Sequence, residues 1–480
     1  MNPVRKAASL VLALALSGAA GCREQPRAQP GPGPRPRAGA AGSGYNLLLI
    51  TIDTLRADHL GLYGYRRATS PNIDALGRRA RVFDQAYTFW PKTRGSFAMM
   101  MTGRTPSQNG YSKKHPLILG FNPTLATALK AGGYATAATV DNPNVAAQHG
   151  YAQGFDSYRE TWTEKALGSE VDRTRAITAD GARYLRSAPR EKPFFLWLHY
   201  VSPHGPYEPP APYDTRFMDE QSRQGPKLRR VDGFHGGVRR EWARQDGLPL
   251  GHYVALYDGE IAAVDAEVGQ VLAALEESGQ AARTVVVLTS DHGESLGEHG
   301  YYFDHGEDLF DPCLRIPLLV AGPGVKPGRS DELVSTLDLM PTLLDAAKVA
   351  YPPGLEGGSL LPLASGSGQL ARPRLFAQNE RNLSATLDRR HKLVATPRQA
   401  GGHEFALYDR QADPGETADA AGKQPEVLRT QRRELELFFE RSDREWGHTR
   451  KLVGDAPGPR PDTGAACEQL KALGYVQDCP

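Results

Sequence analysis

"YNLLLITID", residues 45–53, is an unbroken apolar run that stops at a carboxylate. A strand with one wet face alternates apolar and polar residues, whereas a strand covered on both faces does not. The run therefore predicts an interior strand of a helix-covered sheet, with Asp53 just past its end. Working outward, "TLATALKAGGYATAATVDN" (124–142) reads as helix, Gly-Gly stop and strand, and "KPFFLWLHY" (192–200) as another strand. "VALYDGEIAAVDAEVGQVLAALEESG" (254–279) carries Leu256, Ile261, Val264, Val268, Val271 and Leu275 at helical spacing. It leads into "RTVVVLTSDHGE" (283–294) and then "RIPLLVAG" (315–322), two more apolar strands. Alternating strands and helices predict an α/β fold: a doubly wound, mostly parallel sheet sandwiched by helices.

The polar residues fall where such a sheet holds ligands. Asp53, Asp141, His199 and the pair Asp291–His292 each lie at or just beyond a predicted strand end, and open α/β sheets bind ligands at the carboxyl edge. Carboxylates and an imidazole meeting there suit a divalent cation. The stretch "WPKTRGSFAMMMTG" (90–103) poses a second question, because Thr93 stands between Lys92 and Arg94 at the start of an apolar helix. It is read either as a helix cap or as a nucleophile activated by a metal, by its cationic neighbours and by the helix N-terminus.

The 480 residues are 40% hydrophobic and 23% charged with a formal charge of +2, a globular composition that gives no reason to expect nucleic acid as a partner. "MNPVRKAASLVLALALSGAAGC" (1–22) has the basic start, short apolar stretch and small residues of a secretory signal. Small residues ending in Cys22 resemble a bacterial lipoprotein cleavage site. The expectation is export, with lipid attachment at Cys22 holding the protein to a membrane on the periplasmic side or at the cell surface. A plain signal peptide is the alternative. Residues 23–44 form a Pro/Gly/Arg-rich linker that lacks the apolar content of a core. A main domain is expected over 45–370, and short strand-like pieces followed by a charged helix predict a small α+β subdomain and tail over 371–480. Cys467 and Cys479 flank "EQLKALGYVQD" and are placed to pair in an oxidising compartment, whereas Cys313 reads as a buried small hydrophobe. The loop from about 205 to 252 is expected to cover the pocket and set specificity.

Several ordered stretches resemble the sulfatase family of the alkaline-phosphatase superfamily. They are "ITIDTLRADHLGLYGY" (50–65), "TSPNIDALGRRARVFDQAYT" (69–88), "MTGRTP" (101–106), "SPHGPYEPP" (202–210), "SDHGESLGEHGYYFDHG" (290–306), "RIPLLVAGPG" (315–324), "DLMPTLLDAA" (338–347) and "ALYDRQADPGET" (406–417). The resemblance implies that Asp53, Asp291 and His292 hold the metal. The family's nucleophile motif is Cys-x-Pro-x-Arg, and counting back from Gly103 puts Thr93 at the Cys position, Gly95 at Pro and Phe97 at Arg. Thr cannot become the formylglycine that sulfatases make from that Cys, whereas in phosphodiesterase and phosphotransferase branches a Thr there attacks phosphorus directly. His204 is similar to the histidine that contacts substrate and protonates the leaving group. His305 falls where sulfatases carry an anion-binding Lys, with His299 as its alternative or as a loop tether. Asn142 falls where Lys and His often flank the substrate, and Lys92 and Arg94 are further candidates for substrate contact.

Where calcium-binding sulfatases present Asp-Asp and Asp-Asn, this chain has Asp53-Thr54 and Asp291-His292, which moves the preference for the single expected ion from calcium toward manganese or zinc. The function so implied is metal-dependent hydrolysis of sulfate, phosphate or phosphonate esters, on an anionic substrate that is free, glycan-linked or lipid-linked. Two alternatives stand beside it: transfer of a phosphoryl-linked head group to an envelope glycan or lipid, and anion binding without turnover.

Overall fold

The computed structural model describes residues 44–232, 236–243, 245–370, 372–454, 458, 462–476 and 479. Cys22 and the leader therefore lie outside the described residues. Strand β1 (Asn46–Ile52) is fully buried, as its composition requires. Leu47 and Leu49 enter one apolar core, with Phe97, Met99 and Trp197. Leu48, Ile50 and Ile52 enter another on the opposite face, with Ile177, Leu196 and Val264. Period-two alternation thus persists in β1, but both of its faces are dry.

Seven further strands complete the main sheet: β2 (Ala80–Tyr87), β3 (Ala135–Val140), β4 (Ser157–Glu160), β5 (Phe194–Tyr200), β6 (Thr284–Thr289), β7 (Leu318–Ala321) and β8 (Gly328–Ser335). Their spatial order is β8-β2-β7-β6-β1-β5-β3-β4. Every pairing is parallel except those of β7, which runs antiparallel to both β2 and β6. The doubly wound, mostly parallel sheet expected from sequence is the observed one. The important consequence is that β6, β1, β5 and β3 are neighbours, so residues at their carboxyl ends are brought together.

Helix α1 (Thr93–Thr102) follows β2, and helices α2 (Glu170–Ser187), α3 (Leu250–Glu277) and α4 (Leu339–Ala347) cover the sheet. Among the described residues no helix is long and apolar enough to cross a membrane.

A four-stranded antiparallel sheet (Leu375–Gln378, Ser384–Leu387, His391–Pro397, His403–Asp409) and helix α5 (Pro425–Val453) form the C-terminal subdomain. It docks through Phe438, whose ring meets Phe89 of the main domain at 6.4 Å, and through the Gln378 amide donating to the Phe89 carbonyl at 2.9 Å. The docked sheet reaches the site loops, since the Asn379 side chain donates to the Gly306 carbonyl at 3.1 Å. Past α5, a short helix α6 (Gly464–Ala472) leaves this sheet and packs on the segments Pro143–Val145 and Thr161–Thr163 of the main domain. Cys467 and Cys479 are joined as a disulfide, and Cys313 is free and buried.

The linker between the two parts is pinned by one ion pair. Asp338 is fully buried and accepts from the Ser335 and Gly358 amides at 2.7 and 2.8 Å and from both Arg372 terminal nitrogens at 2.8 and 2.7 Å. Removing the guanidinium strands a carboxylate in the core, so Arg372→Ala is expected to cost about 3 kcal/mol. Denaturant unfolding measures it.

Candidate active site

The site starts at the end of β1. Asp53 is fully buried, and its amide donates to the Tyr200 carbonyl at 2.9 Å, which fixes its place beside β5. From β6 the chain turns through Ser290, whose hydroxyl accepts from the Leu55 amide at 3.0 Å and donates to the His292 carbonyl at 2.5 Å. That turn delivers Asp291 and His292, both fully buried, opposite Asp53. Helix α1 is tied to the same loop by the Ser96 hydroxyl, which donates to the Asp291 carbonyl at 2.7 Å.

Asp53, Asp291 and His292 each turn a donor atom toward the others within 4.8 Å. His292 Nδ1 bonds the Gly293 carbonyl at 2.9 Å, so that nitrogen carries the proton and Nε2 presents a lone pair. Nε2 lies 3.3 Å from Asp291 Oδ2 and 3.6 Å from Asp53 Oδ1. Neither carboxylate oxygen has a hydrogen-bond partner. Burial pushes both carboxyls up from their ordinary range, and the Asp291 charge adds to the rise at Asp53. Three lone pairs facing one another in a dry interior repel unless a cation lies between them. Donors about 2.1 Å from one ion are about 3.0 to 3.4 Å apart, close to the separations observed. The residues therefore fit a divalent cation.

Thr93 opens α1, and the residue in the cap position is Lys92, with no side-chain capping bond. The cap reading of Thr93 is thus replaced by another arrangement. Its Oγ is 3.1 Å from His292 Nε2, at the edge of the donor cluster, and fully buried at the positive end of the helix.

His204 and His305 come to the same place. His204 Nδ1 donates to the Gly205 carbonyl at 2.7 Å, and His305 Nδ1 pairs with Glu294 Oε1 at 2.9 Å. Both rings thereby turn Nε2 inward, 5.1 Å apart centre to centre, and His305 stacks on His292 at 4.2 Å. Burial pulls His204 down to about 3, holds His305 well below the usual range, and lifts Glu294 to about 7. The His305–Glu294 pair can therefore share one proton near neutrality.

Other sequence candidates stand differently. Asn142 Nδ2 donates to Asp53 Oδ2 at 2.6 Å, so it orients a metal-facing carboxylate instead of reaching toward substrate. His299, with φ of 53°, stacks flat on Phe310 at 3.6 Å and tethers its loop, which corrects the reading that would have it donate to the ester. Lys92 pairs with Glu380 at 3.3 Å, and Arg94 pairs with Asp462 at 3.3 Å, so neither charge is unpaired. Asp141 turns away and pairs with Arg173 at 2.9 Å, its negative charge balanced outside the cluster. His199 is closer in. Its Nδ1 contacts Thr51 Oγ1 at 3.0 Å, while its unpartnered Nε2 lies 3.7 Å from Asp53 Oδ2.

Two residues escaped the sequence reading. Glu294 sits inside "SDHGE", two positions after His292, and that proximity was the available signal. Tyr475 had none: its hydroxyl lies 2.8 Å from Thr93 Oγ across 382 residues of chain. The expected covering loop contributes Trp242, whose ring meets His204 at 6.4 Å, and Tyr207, whose hydroxyl donates to Glu294 Oε2 at 3.2 Å.

The unpaired carboxylates make a prediction with two signs. In chelator, Asp53→Asn is expected to melt higher than wild type, because it removes one of two facing charges. With manganese or zinc added, wild type is expected to gain Tm through binding to the native state while Asp53→Asn gains none. Differential scanning fluorimetry with and without metal measures both.

Two family models match the sequence: Sulfatase over residues 45–349, and N-sulphoglucosamine sulphohydrolase, C-terminal, over 297–437. An arylsulfatase of Clostridium perfringens is 25% identical over 469 residues, covering 84% of this chain and 96% of the relative. An N-acetylglucosamine-6-O-sulfatase of Bacteroides thetaiotaomicron is 23% identical over 482 residues, covering 82% and 86%. The phosphonate monoester hydrolase of Agrobacterium radiobacter shares the fold with a TM-score of 0.68 at 22% identity, covering 83% of this chain and 96% of that one. Matched from β1 through α4 by the Sulfatase model, and carrying its acid–imidazole cluster at the carboxyl edge of the matched sheet, the chain belongs to the sulfatase family.

Proposed function

We propose that this sulfatase-family hydrolase cleaves singly charged sulfate, phosphonate or phosphate esters, with Thr93 as nucleophile and one divalent ion held by Asp53, Asp291 and His292. The observation that carries the reading is the approach of Thr93 Oγ to the donor cluster, 3.1 Å from His292 Nε2. Lewis acidity from a bound ion would lower the pKa of that hydroxyl, the activation a threonine needs at neutral pH. The helix N-terminus beneath it favours the alkoxide further.

The chain's own groups account for the rest. Thr93 Oγ gives up its hydroxyl proton to solvent and forms the new bond to sulfur or phosphorus as the bond to the ester oxygen breaks, and the electron pair leaves with that oxygen. His305 Nε2 supplies the proton: an incoming anion favours the imidazolium, and the Glu294 carboxylate bound to Nδ1 stabilises it. Once that oxygen is protonated, His204 Nε2 accepts from the departing hydroxyl on the other side. Water then cleaves the Thr93 ester, giving one proton to His305 and its hydroxide to the sulfur or phosphorus, and the released Thr93 oxygen regains its proton from solvent.

Charge selects the substrate class. Two carboxylates offset a divalent ion, burial disfavours the charged form of both near histidines, and Lys92 is already paired. Such a site suits a monoanion such as a sulfate ester, phosphonate monoester or phosphodiester better than a dianionic phosphate monoester. The arylsulfatase and phosphonate monoester hydrolase relatives support this range, and the N-acetylglucosamine-6-O-sulfatase supports a glycan-linked ester. Export and lipid attachment at Cys22 belong to the same reading, supported by the Cys467–Cys479 disulfide, which suits an oxidising compartment.

Thr93→Ala is expected to lower kcat/KM by about a thousandfold, equivalent to about 4 kcal/mol of transition-state stabilisation, and Thr93→Ser to retain most of it. An aryl sulfate, phosphonate, phosphodiester and phosphomonoester panel with manganese or zinc measures this. Full turnover by Thr93→Ala would remove the assignment.

A further inference from the structure

Tyr475 stands in the space the reaction needs. Its hydroxyl lies 2.8 Å from Thr93 Oγ, 3.1 Å from His204 Nε2 and 3.2 Å from His305 Nε2. Its ring sits 5.4 Å from His204 and 5.9 Å from His305. A sulfur or phosphorus atom about to be attacked must lie about 3 to 3.5 Å from the nucleophile, with its own oxygens around it. An oxygen already 2.8 Å from Thr93 Oγ fills that volume. Bound ester and seated Tyr475 exclude each other.

The segment that carries Tyr475 is built to hold it there. Cys467, Leu470 and Leu473 are buried beneath α6, and the Tyr475 amide donates to the Leu470 carbonyl at 2.8 Å. Gly474 has φ of +84°, the left-handed region that favours glycine, and a Cβ there would displace the Arg239 guanidinium. The Cys467–Cys479 disulfide closes the chain into a loop around the tyrosine. At the other end of the segment, the Asp462 carboxylate meets Arg94 at 3.3 Å, His149 at 3.1 Å and Gln148 at 2.9 Å. Arg94 is the residue after Thr93. The segment thus presents an alcohol oxygen to the reacting atoms and an acid group to the adjacent cation.

We propose that residues 462–476 are an intramolecular pseudosubstrate: a C-terminal strap that closes the site by placing Tyr475 on Thr93, His204 and His305, and Asp462 on Arg94 and His149. The strap contributes no strand to the main sheet, so it withdraws without breaking the sheet's pairing. Apparent affinity for substrate is then the intrinsic affinity scaled by the fraction of molecules with the strap withdrawn. A substrate with a second acidic group competes at both ends of the strap, because it replaces Asp462 on Arg94 as its ester replaces Tyr475. The occupied site is the one read above as hydrolytic, and the inference rests on that reading for its effect on turnover but not for its effect on binding.

The test measures both. Orthovanadate binding to the manganese-loaded protein is followed by calorimetry, and ester turnover in parallel, for wild type, Tyr475→Ala, Tyr475→Phe, Cys467→Ser with Cys479→Ser, and a chain ending at Gly454. Tyr475→Ala and the shortened chain are expected to bind orthovanadate at least tenfold tighter than wild type and to raise kcat/KM by a similar factor. The double serine variant should fall between. Equal affinity across the series, or no binding in any member, overturns the strap. So does a tenfold or greater loss of turnover in Tyr475→Phe, which would make the phenol a catalytic group. Tighter orthovanadate binding without turnover of any ester upholds the strap and removes the hydrolase reading instead.

Discussion

Two carboxylates, Asp53 and Asp291, face each other in the dry interior with an imidazole lone pair beside them and no protein cation between. No globular fold leaves this arrangement in place for its own stability, because burying unpaired like charges is costly. It becomes favourable when a divalent ion joins the donors. The rest of the architecture reads as the means of holding it: adjacent parallel strands to bring Asp53 and Asp291 within reach, Asn142 to orient one carboxylate, Gly293 to fix the imidazole tautomer, and Ser96 to lock helix α1 onto the same loop.

From that centre the site grows outward in shells of opposite character. Beside those donors stand His204 and His305, whose pKa values burial lowers and whose Nε2 atoms face the reaction space. Beyond them, charges come in compensated pairs: Lys92 with Glu380, Arg94 with Asp462, Arg173 with Asp141. Compensation makes the surroundings of the centre nearly neutral while the C-terminal segment is seated. Two of these pairs draw their acid from the C-terminal region, so the small subdomain and the tail tune the centre as well as cover it.

The fold was legible because buried parallel strands announce themselves as continuous apolar runs, and because each run ended on a polar residue. That rule picked out Asp53, Asp291 and His292 together with Asp141 and His199, and the resemblance to the sulfatase family singled out the first three as the metal set. The same rule misplaced Asp141, since a strand-end position does not say which way a side chain turns, and the Arg173 that captures it comes from a helix 32 residues on. His299 and His305 lie in one loop with similar neighbours in sequence. What separates them is a backbone twist that lays His299 on Phe310 and sends His305 to Glu294. Tyr475 was beyond reach, since nothing local in "ALGYV" indicates that a distant helix N-terminus is its partner. Sequence periodicity reports burial and direction along one element; partnerships between distant segments follow only from packing.

The central claim is the ion itself, and X-ray anomalous scattering from crystals grown with manganese or zinc tests it most directly. The account predicts one strong anomalous peak within about 2.0 to 2.3 Å of Asp53 Oδ1, Asp291 Oδ2 and His292 Nε2, with Thr93 Oγ beside it. A fully loaded crystal whose only peaks lie elsewhere, with the two carboxylates still facing one another unbridged, would contradict it.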